Sequence, residues 1–219
     1  MTVSLTILSD PICPWCYIGK TRLNRAIKVA GVNPFEVTWR PFQLNPDMPP
    51  EGVDRQAYLE AKFGKERAEE FYAQIEDTAL SEGLKVDFSA IERTPNTVDA
   101  HRVIRWSFEV GVQSVLMDEL FDRFFRRGED ISEHSVLVEA AQAAGMDGDA
   151  IARLLAGDTE REAVLAEDAQ AREIGVQAVP TFIVANRHVV QGAQPHDLWV
   201  RVINDIQAQE AGAEPVQAP

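Results

Sequence analysis

The chain's only two cysteines, Cys13 and Cys16, lie three positions apart between a strand-like stretch and a helix-like one. That placement restricts the fold more than any other feature. Val3, Leu5 and Ile7 alternate with Ser4, Thr6 and Leu8, the period of a strand. Asp10-Pro11 ends the strand. From Trp15 the apolar spacing lengthens through Tyr17, Leu23, Ala26, Ile27 and Ala30, which predicts a helix stopping near Gly31. Phe35 to Phe42 returns to strand character, with Phe35, Val37 and Trp39 on one face. A right-handed crossover would place the two strands in one parallel sheet.

The middle of the chain changes character. Leu44 to Gly52 carries Pro46, Pro49 and Pro50 and reads as an irregular connection. Helical spacing follows at Ala68, Phe71, Ile75 and Ala79, closed by Gly83. Thr94-Pro95-Asn96-Thr97 reads as a helix start, with Ala100, Ile104 and Phe108 behind it. Leu116, Leu120, Phe121, Phe124 and Phe125 form an apolar stripe ended by Gly128, and Leu137, Ala140, Ala141 and Ala144 suggest a further helix. No comparable strand signal occurs between about residues 54 and 157. Thr159 with Glu162 matches a capping box for a helix whose buried face is Val164, Ala171 and Ile174. Thr181 to Ala185 and His188 to Gln191 read as strands around a turn at Asn186, and a terminal helix bears Leu198, Val202 and Ile206. The expected architecture is α/β, with residues 1–50 and 158–210 forming one discontinuous domain, 51–157 an inserted helical domain and 211–219 a flexible tail.

Composition narrows the function. The net charge is −14, which opposes binding to nucleic acid or an anionic membrane surface. No apolar run approaches the ~20 residues that span a bilayer. The first nine residues lack the basic and apolar regions of a secretory signal, so a cytoplasmic location is expected. A cysteine pair at this spacing in that compartment is more often catalytic or redox-sensing than a structural staple.

A C-x-x-C motif opening a helix has a chemical consequence. The helix N-terminus favours negative charge, and cysteines so placed have pKa values lowered from about 8.5 into a range of roughly 3.5 to 7.5. Cys13 is the expected nucleophile and Cys16, one turn on, the resolving thiol. Pro14 suits the first turn, where its missing N–H is not needed. Trp15 adds bulk without positive charge, so Pro14 and Trp15 are the tuning positions. Two alternatives stand beside this one. Half of a zinc site would need two more ligands, yet His101, His134, His188 and His196 are scattered without ligand spacing. The other alternative is an inert buried pair. No metal and no bound cofactor are expected.

A second constellation, Gly175-Val176-Gln177-Ala178-Val179-Pro180-Thr181-Phe182, sets a proline directly before a strand-like run, the mark of a strand's beginning or an edge. With C-x-x-C after the first strand, it resembles the thioredoxin superfamily. That resemblance implies a cis Val179–Pro180 bond lying beside the reactive cysteine, with Val179 offering backbone hydrogen bonds to substrate.

Longer segments are similar to a narrower, DsbA-like group that includes FrnE-type oxidoreductases and 2-hydroxychromene-2-carboxylate isomerases. They are Ser9-Asp10, Cys13 to Lys20, Trp39 to Pro46, Asn96-Thr97 with Ala100-His101-Arg102, and Gly192-Ala193-Gln194. The resemblance implies a thioredoxin-like fold with an inserted all-helical lobe, acting on disulfide-containing proteins or small thiols and disulfides, with glutathione a candidate co-substrate. In that group the isomerases and kappa-class glutathione transferases carry serine where this chain has Cys13, so the complete dithiol favours disulfide oxidoreductase or isomerase chemistry over glutathione-dependent isomerisation or transfer. By analogy Asn96 and His101 line the cleft between lobes; a helix cap and a packed histidine are the equal alternatives. A non-enzymatic, chaperone-like module would use Phe121, Phe124 and Phe125, although a helical stripe is more often core. A homodimer is compatible with the sequence, which assigns no interface.

Overall fold

The computed structural model describes residues 2–210, so the tail expected at 211–219 lies outside the described residues. The opening unit forms as its periodicity predicts. β1 (Val3–Ser9) and β2 (Phe35–Pro41) are parallel neighbours, Val3 opposite Phe35 and Ser9 opposite Pro41. α1 (Pro14–Ala30) joins them. Gly31 ends it at φ 71, a left-handed conformation that glycine adopts without strain.

The chain then leaves the sheet. β3 (Val53–Asp54) leads into α2 (Arg55–Phe63) and α3 (Lys65–Ser81). β4 (Arg93–Thr94) pairs antiparallel with β3 and precedes α4 (Val98–Glu109) and α5 (Gln113–Arg127). α6 (His134–Ala143), α7 (Gly148–Leu155) and α8 (Arg161–Glu173) complete the run of helices. β5 (Thr181–Val184) returns antiparallel to β1, β6 (His188–Gln191) pairs with β5, and α9 (His196–Glu210) follows. The main sheet therefore has the order β2-β1-β5-β6.

Packing explains where the periodicity misleads. The β3–β4 ladder has two residues per strand, too short for an alternation to register. The Thr159–Glu162 capping box does not form. Glu160 takes the N-cap of α8 at φ 61, and the Thr159 carbonyl instead accepts the Arg102 Nε–H at 2.8 Å. Phe71, Phe108 and Ile174 are exposed although their spacing sets them on buried faces. Phe71 stacks on Phe63 rather than entering the core, while Phe108 and Ile174 stand at the ends of their helices, where contact with neighbours has ceased. On α9 the centre of the buried face is Trp199 and Ile203, with Leu198, Val202 and Ile206 half-buried at its borders. Trp199 meets Phe182 edge-on at 4.7 Å and Phe35 at 6.2 Å, joining α9 to β5 and β2. The stripe of α5 is interior: Phe121, Phe124 and Phe125 are fully buried, and Tyr17 of α1 stacks on Phe121 at 5.0 Å. It is closed to any partner.

β2 is an edge strand, and its outer side is finished by a side chain. Gln113, the first residue of α5, accepts the Trp39 N–H at 3.0 Å and donates to the Trp39 and Ile104 carbonyls at 3.3 and 3.0 Å. The carboxamide supplies the donor and acceptor that a further strand would have supplied, which closes the edge and hooks α4 and α5 to the sheet. Gln113→Leu leaves the buried Trp39 N–H and C=O unpaired, while the Ile104 carbonyl keeps the Ser107 hydroxyl at 2.7 Å, so chemical denaturation should show a loss of roughly 2–4 kcal/mol. A loss under 0.5 kcal/mol would mean that water replaces the amide there.

Candidate active site

The site is built where β1 and β2 both end. Past Ser9 the Cys13 N–H donates to the Asp10 carbonyl at 2.9 Å, a turn that places Cys13 at the N-cap of α1. Pro14 occupies the first helical position. The Cys16 and Tyr17 N–H groups return to the Cys13 carbonyl at 3.0 and 3.3 Å, so the helix starts from the cysteine itself. Both thiols are free and buried, and they lie within hydrogen-bonding reach of each other. The Cys13 thiol donates to the Val179 carbonyl at 3.6 Å. Burial pushes the Cys16 thiol well above its ordinary pKa. The Cys13 group raises it further, against smaller opposing effects from the Ser9 hydroxyl and the Asp10 backbone. The two sulfurs thus occupy different environments.

The Val179–Pro180 bond is cis, and the loop lies directly on α1. A Cβ at Gly19 would come within 3.0 Å of the Pro180 ring and 3.3 Å of the Phe182 ring. Glycine at that position is what lets α1 approach the loop closely enough for Cys13 to reach Val179. Trp15 is half-buried and packs beside Ile18, Tyr72 and Phe88.

Asn96 and His101 hold different places. The Asn96 carboxamide accepts the Val98 N–H at 2.9 Å, starting α4, and donates to the Met48 carbonyl at 2.7 Å. His101 is buried, with its Nε2 3.9 Å from Asp10 Oδ1 and without a hydrogen-bond partner. It borders a cavity of about 230 Å3 between β2 and α4.

Asp10 is a site residue that the sequence analysis reads only as a strand terminator and as part of a matching segment. Its carboxylate accepts the Ile12 N–H at 3.3 Å and the Leu44 N–H at 2.7 Å, with the Thr97 hydroxyl as a further donor. It thus joins the exits of both strands to the start of α4. An aspartate before a proline reads as a strand terminator, and nothing local betrays its burial. Desolvation pushes the Asp10 carboxyl up to about 7 despite those donors, helped by the nearby Asp168 charge. Desolvation pushes His101 down to about 4, against the pull of Asp168. Asp168 is itself buried and accepts the Gln43 N–H at 2.6 Å.

Known proteins agree with this geometry. The model of the DSBA-like thioredoxin domain matches residues 4–204. The Bacillus subtilis protein YwbO is 28% identical over 211 residues, covering 94% of this chain and 98% of its own. The crystal structure of a probable DsbA oxidoreductase from Streptomyces coelicolor superposes with a TM-score of 0.83 at 28% identity, over 99% of this chain and 94% of that one. The cytosolic disulfide reductase DsbM of Pseudomonas aeruginosa gives 0.68 at 19% identity, over 94% and 99%, and shares the fold.

The two buried titrations oppose each other. Asp10, with its folded pKa raised, contributes stability at low pH that is lost as pH rises from about 4 to about 7. His101, with its folded pKa lowered, contributes stability above its ordinary 6.5 that is lost as pH falls toward 4. His101→Phe removes the second limb. Its stability should fall relative to wild type as pH rises across that window, by at most roughly 4 kcal/mol. Denaturant titrations at a series of pH values read this directly. A His101→Phe profile parallel to wild type would mean that burial does not lower the His101 pKa.

Proposed function

Since this chain belongs to the DSBA-like thioredoxin domain family, we propose that it is a thiol–disulfide oxidoreductase or disulfide isomerase in which Cys13 attacks and Cys16 resolves. One observation carries the reading: both thiols are free at the head of α1, one at the N-cap and the other a turn behind it in a more desolvated position. A helix N-terminus stabilises negative charge, so Cys13 is the better thiolate and the better attacking group. Cys16, held protonated by burial, stays out of the first step. Once a mixed disulfide has formed on Cys13, Cys16 gives up its proton and attacks the Cys13 sulfur, releasing the substrate as a thiol. The Val179 carbonyl, beside the reacting sulfur, is the acceptor for an extended substrate backbone. Substrates are disulfide-bearing proteins or small disulfides. A cytosolic location fits the shared fold with a protein named as a cytosolic disulfide reductase.

Glutathione-dependent isomerisation would place the chemistry on the thiol of glutathione and use position 13 only to orient it. Two variants separate the readings. Cys16→Ser should accumulate a mixed disulfide on Cys13, visible by mass spectrometry, because nothing remains to resolve it. Cys13→Ser should reduce exchange with model disulfides to background. A Cys13→Ser enzyme that keeps full glutathione-dependent turnover would sink the redox reading.

A further inference from the structure

The last residue of β1 carries a hydroxyl that the fold encloses and leaves idle. Ser9 is 2% exposed, and its Oγ has no hydrogen-bond partner among the described residues. Its backbone is committed to the sheet: Ser9 stands opposite Pro41 in the ladder, and its carbonyl accepts the Phe42 N–H at 3.1 Å. The side chain does nothing comparable. A buried hydroxyl without a partner costs stability, and alanine would fill nearly the same space without that cost. The reason for the hydroxyl therefore lies outside the resting fold.

The neighbour of that hydroxyl is Cys16, itself 1% exposed. The turn in which the Cys13 N–H meets the Asp10 carbonyl at 2.9 Å brings the first turn of α1 back to the exit of β1. Two donors of that exit face the Cys16 sulfur, the Ser9 hydroxyl and the Asp10 backbone N–H, and both favour its charged form. Burial and the Cys13 group oppose them and keep the proton on Cys16. That suits the first half of the reaction, in which Cys13 attacks alone. The second half needs the same buried sulfur as an anion, and an anion removed from water needs donors around it. A thiol sulfur is a weak acceptor, whereas a thiolate is a strong one. A hydroxyl beside Cys16 is thus idle against the thiol and engaged by the thiolate.

We propose that Ser9 is a catalytic residue of the resolving step, its hydroxyl donating to the Cys16 thiolate as that sulfur attacks the mixed disulfide on Cys13. The inference rests on Cys16 as the resolving thiol and adds a residue to that same site. In this step the Cys16 thiol gives its proton to solvent and the thiolate attacks the Cys13 sulfur. The Cys13–Cys16 bond forms, the bond from Cys13 to the substrate sulfur breaks, and the departing thiolate takes a proton from solvent. Over both steps the dithiol loses two electrons and the substrate disulfide gains them. The Ser9 hydroxyl keeps its proton throughout and contributes only while charge resides on Cys16.

The test separates the two steps in the reduced full chain by stopped flow with dithiodipyridine, an uncharged disulfide. One coloured thiopyridone is released when Cys13 attacks and a second when Cys16 resolves. A hydrogen bond to a charged group is worth roughly ten- to a hundredfold in the acidity of Cys16. About half of that, on a logarithmic scale, is returned because a less basic thiolate is a poorer nucleophile. Ser9→Ala should therefore slow the second release by about three- to tenfold near neutral pH and leave the first within about twofold. Ser9→Thr, which keeps the hydroxyl, should recover the rate. Reduced Ser9→Ala should melt at or above the wild-type temperature, since the hydroxyl has no bond to lose there. Equal slowing of both releases, an unchanged second release, or slowing that Ser9→Thr shares overturns the proposal. So does a Ser9→Ala chain that melts lower or does not fold, because the hydroxyl would then be holding the resting structure. If Ser9→Thr does not fold, the Cys16 pKa in a Cys13→Ala background decides, followed by thiolate absorbance: Ser9→Ala should raise it, and an unchanged value refutes the assignment. A wild-type chain that releases one thiopyridone or none would instead remove the resolving role of Cys16, and the role of Ser9 with it.

Discussion

A carboxyl group removed from water must be surrounded by donors, and that requirement at Asp10 organises the end of the molecule where the cysteines lie. The strands β1 and β2 finish side by side, leaving backbone N–H groups that no ladder can use. Asp10 accepts from two of them, at Ile12 and Leu44, and from the Thr97 hydroxyl. Three segments far apart in sequence are fixed to one another there. The turn that follows can take only the course that makes Cys13 an N-cap. The cost is a desolvated acid, and the neighbouring His101 does not balance its charge, because desolvation favours the neutral imidazole.

The helices between β2 and β5 are attached to the sheet by comparable devices. Gln113 substitutes for a strand at the outer side of β2, and Asp168 accepts from Gln43 just beyond that strand's end. Arg172 reinforces the second grip by binding both Asp168 and the Gln43 carbonyl. Aromatic stacking of Tyr17 on Phe121 and Phe125 secures α1 to α5. Because α1 bears both cysteines, its contacts with α5 and with the loop at Pro180 hold the site from two sides. The sheet and the helices share one core in which Cys13 and Cys16 are themselves buried members.

Much of this was legible before any coordinates. β1, α1 and β2 follow from simple alternation and helical spacing, because each has one face buried and one exposed. The pairing of Cys13 with the Val179–Pro180 segment was available only from resemblance, since 166 residues separate the two contacting positions. What stayed hidden has a common cause. Asp10, Gln113 and Asp168 are polar residues whose importance comes from being buried, and burial of a polar side chain leaves no periodic trace. Thr159–Glu162 shows the converse: a motif with the right letters goes unused when the Thr159 carbonyl already has a tertiary partner in Arg102.

The position of β5 has a bearing on the life of the chain rather than on the finished molecule. Leu5 pairs with Val184, so the central ladder of the sheet joins two segments that stand far apart in the sequence. During synthesis β1 and α1 emerge early, carrying both thiols, while Val179 and β5 are still many residues from existing. Such long-range closure is slow relative to local helix formation. Until it happens the two sulfurs have neither the carbonyl that receives Cys13 nor the packing that shields Cys16. The distinction between an attacking and a resolving thiol is therefore acquired at the end of folding, and a nascent chain carries two ordinary cysteines that need a reducing environment to reach that point unoxidised.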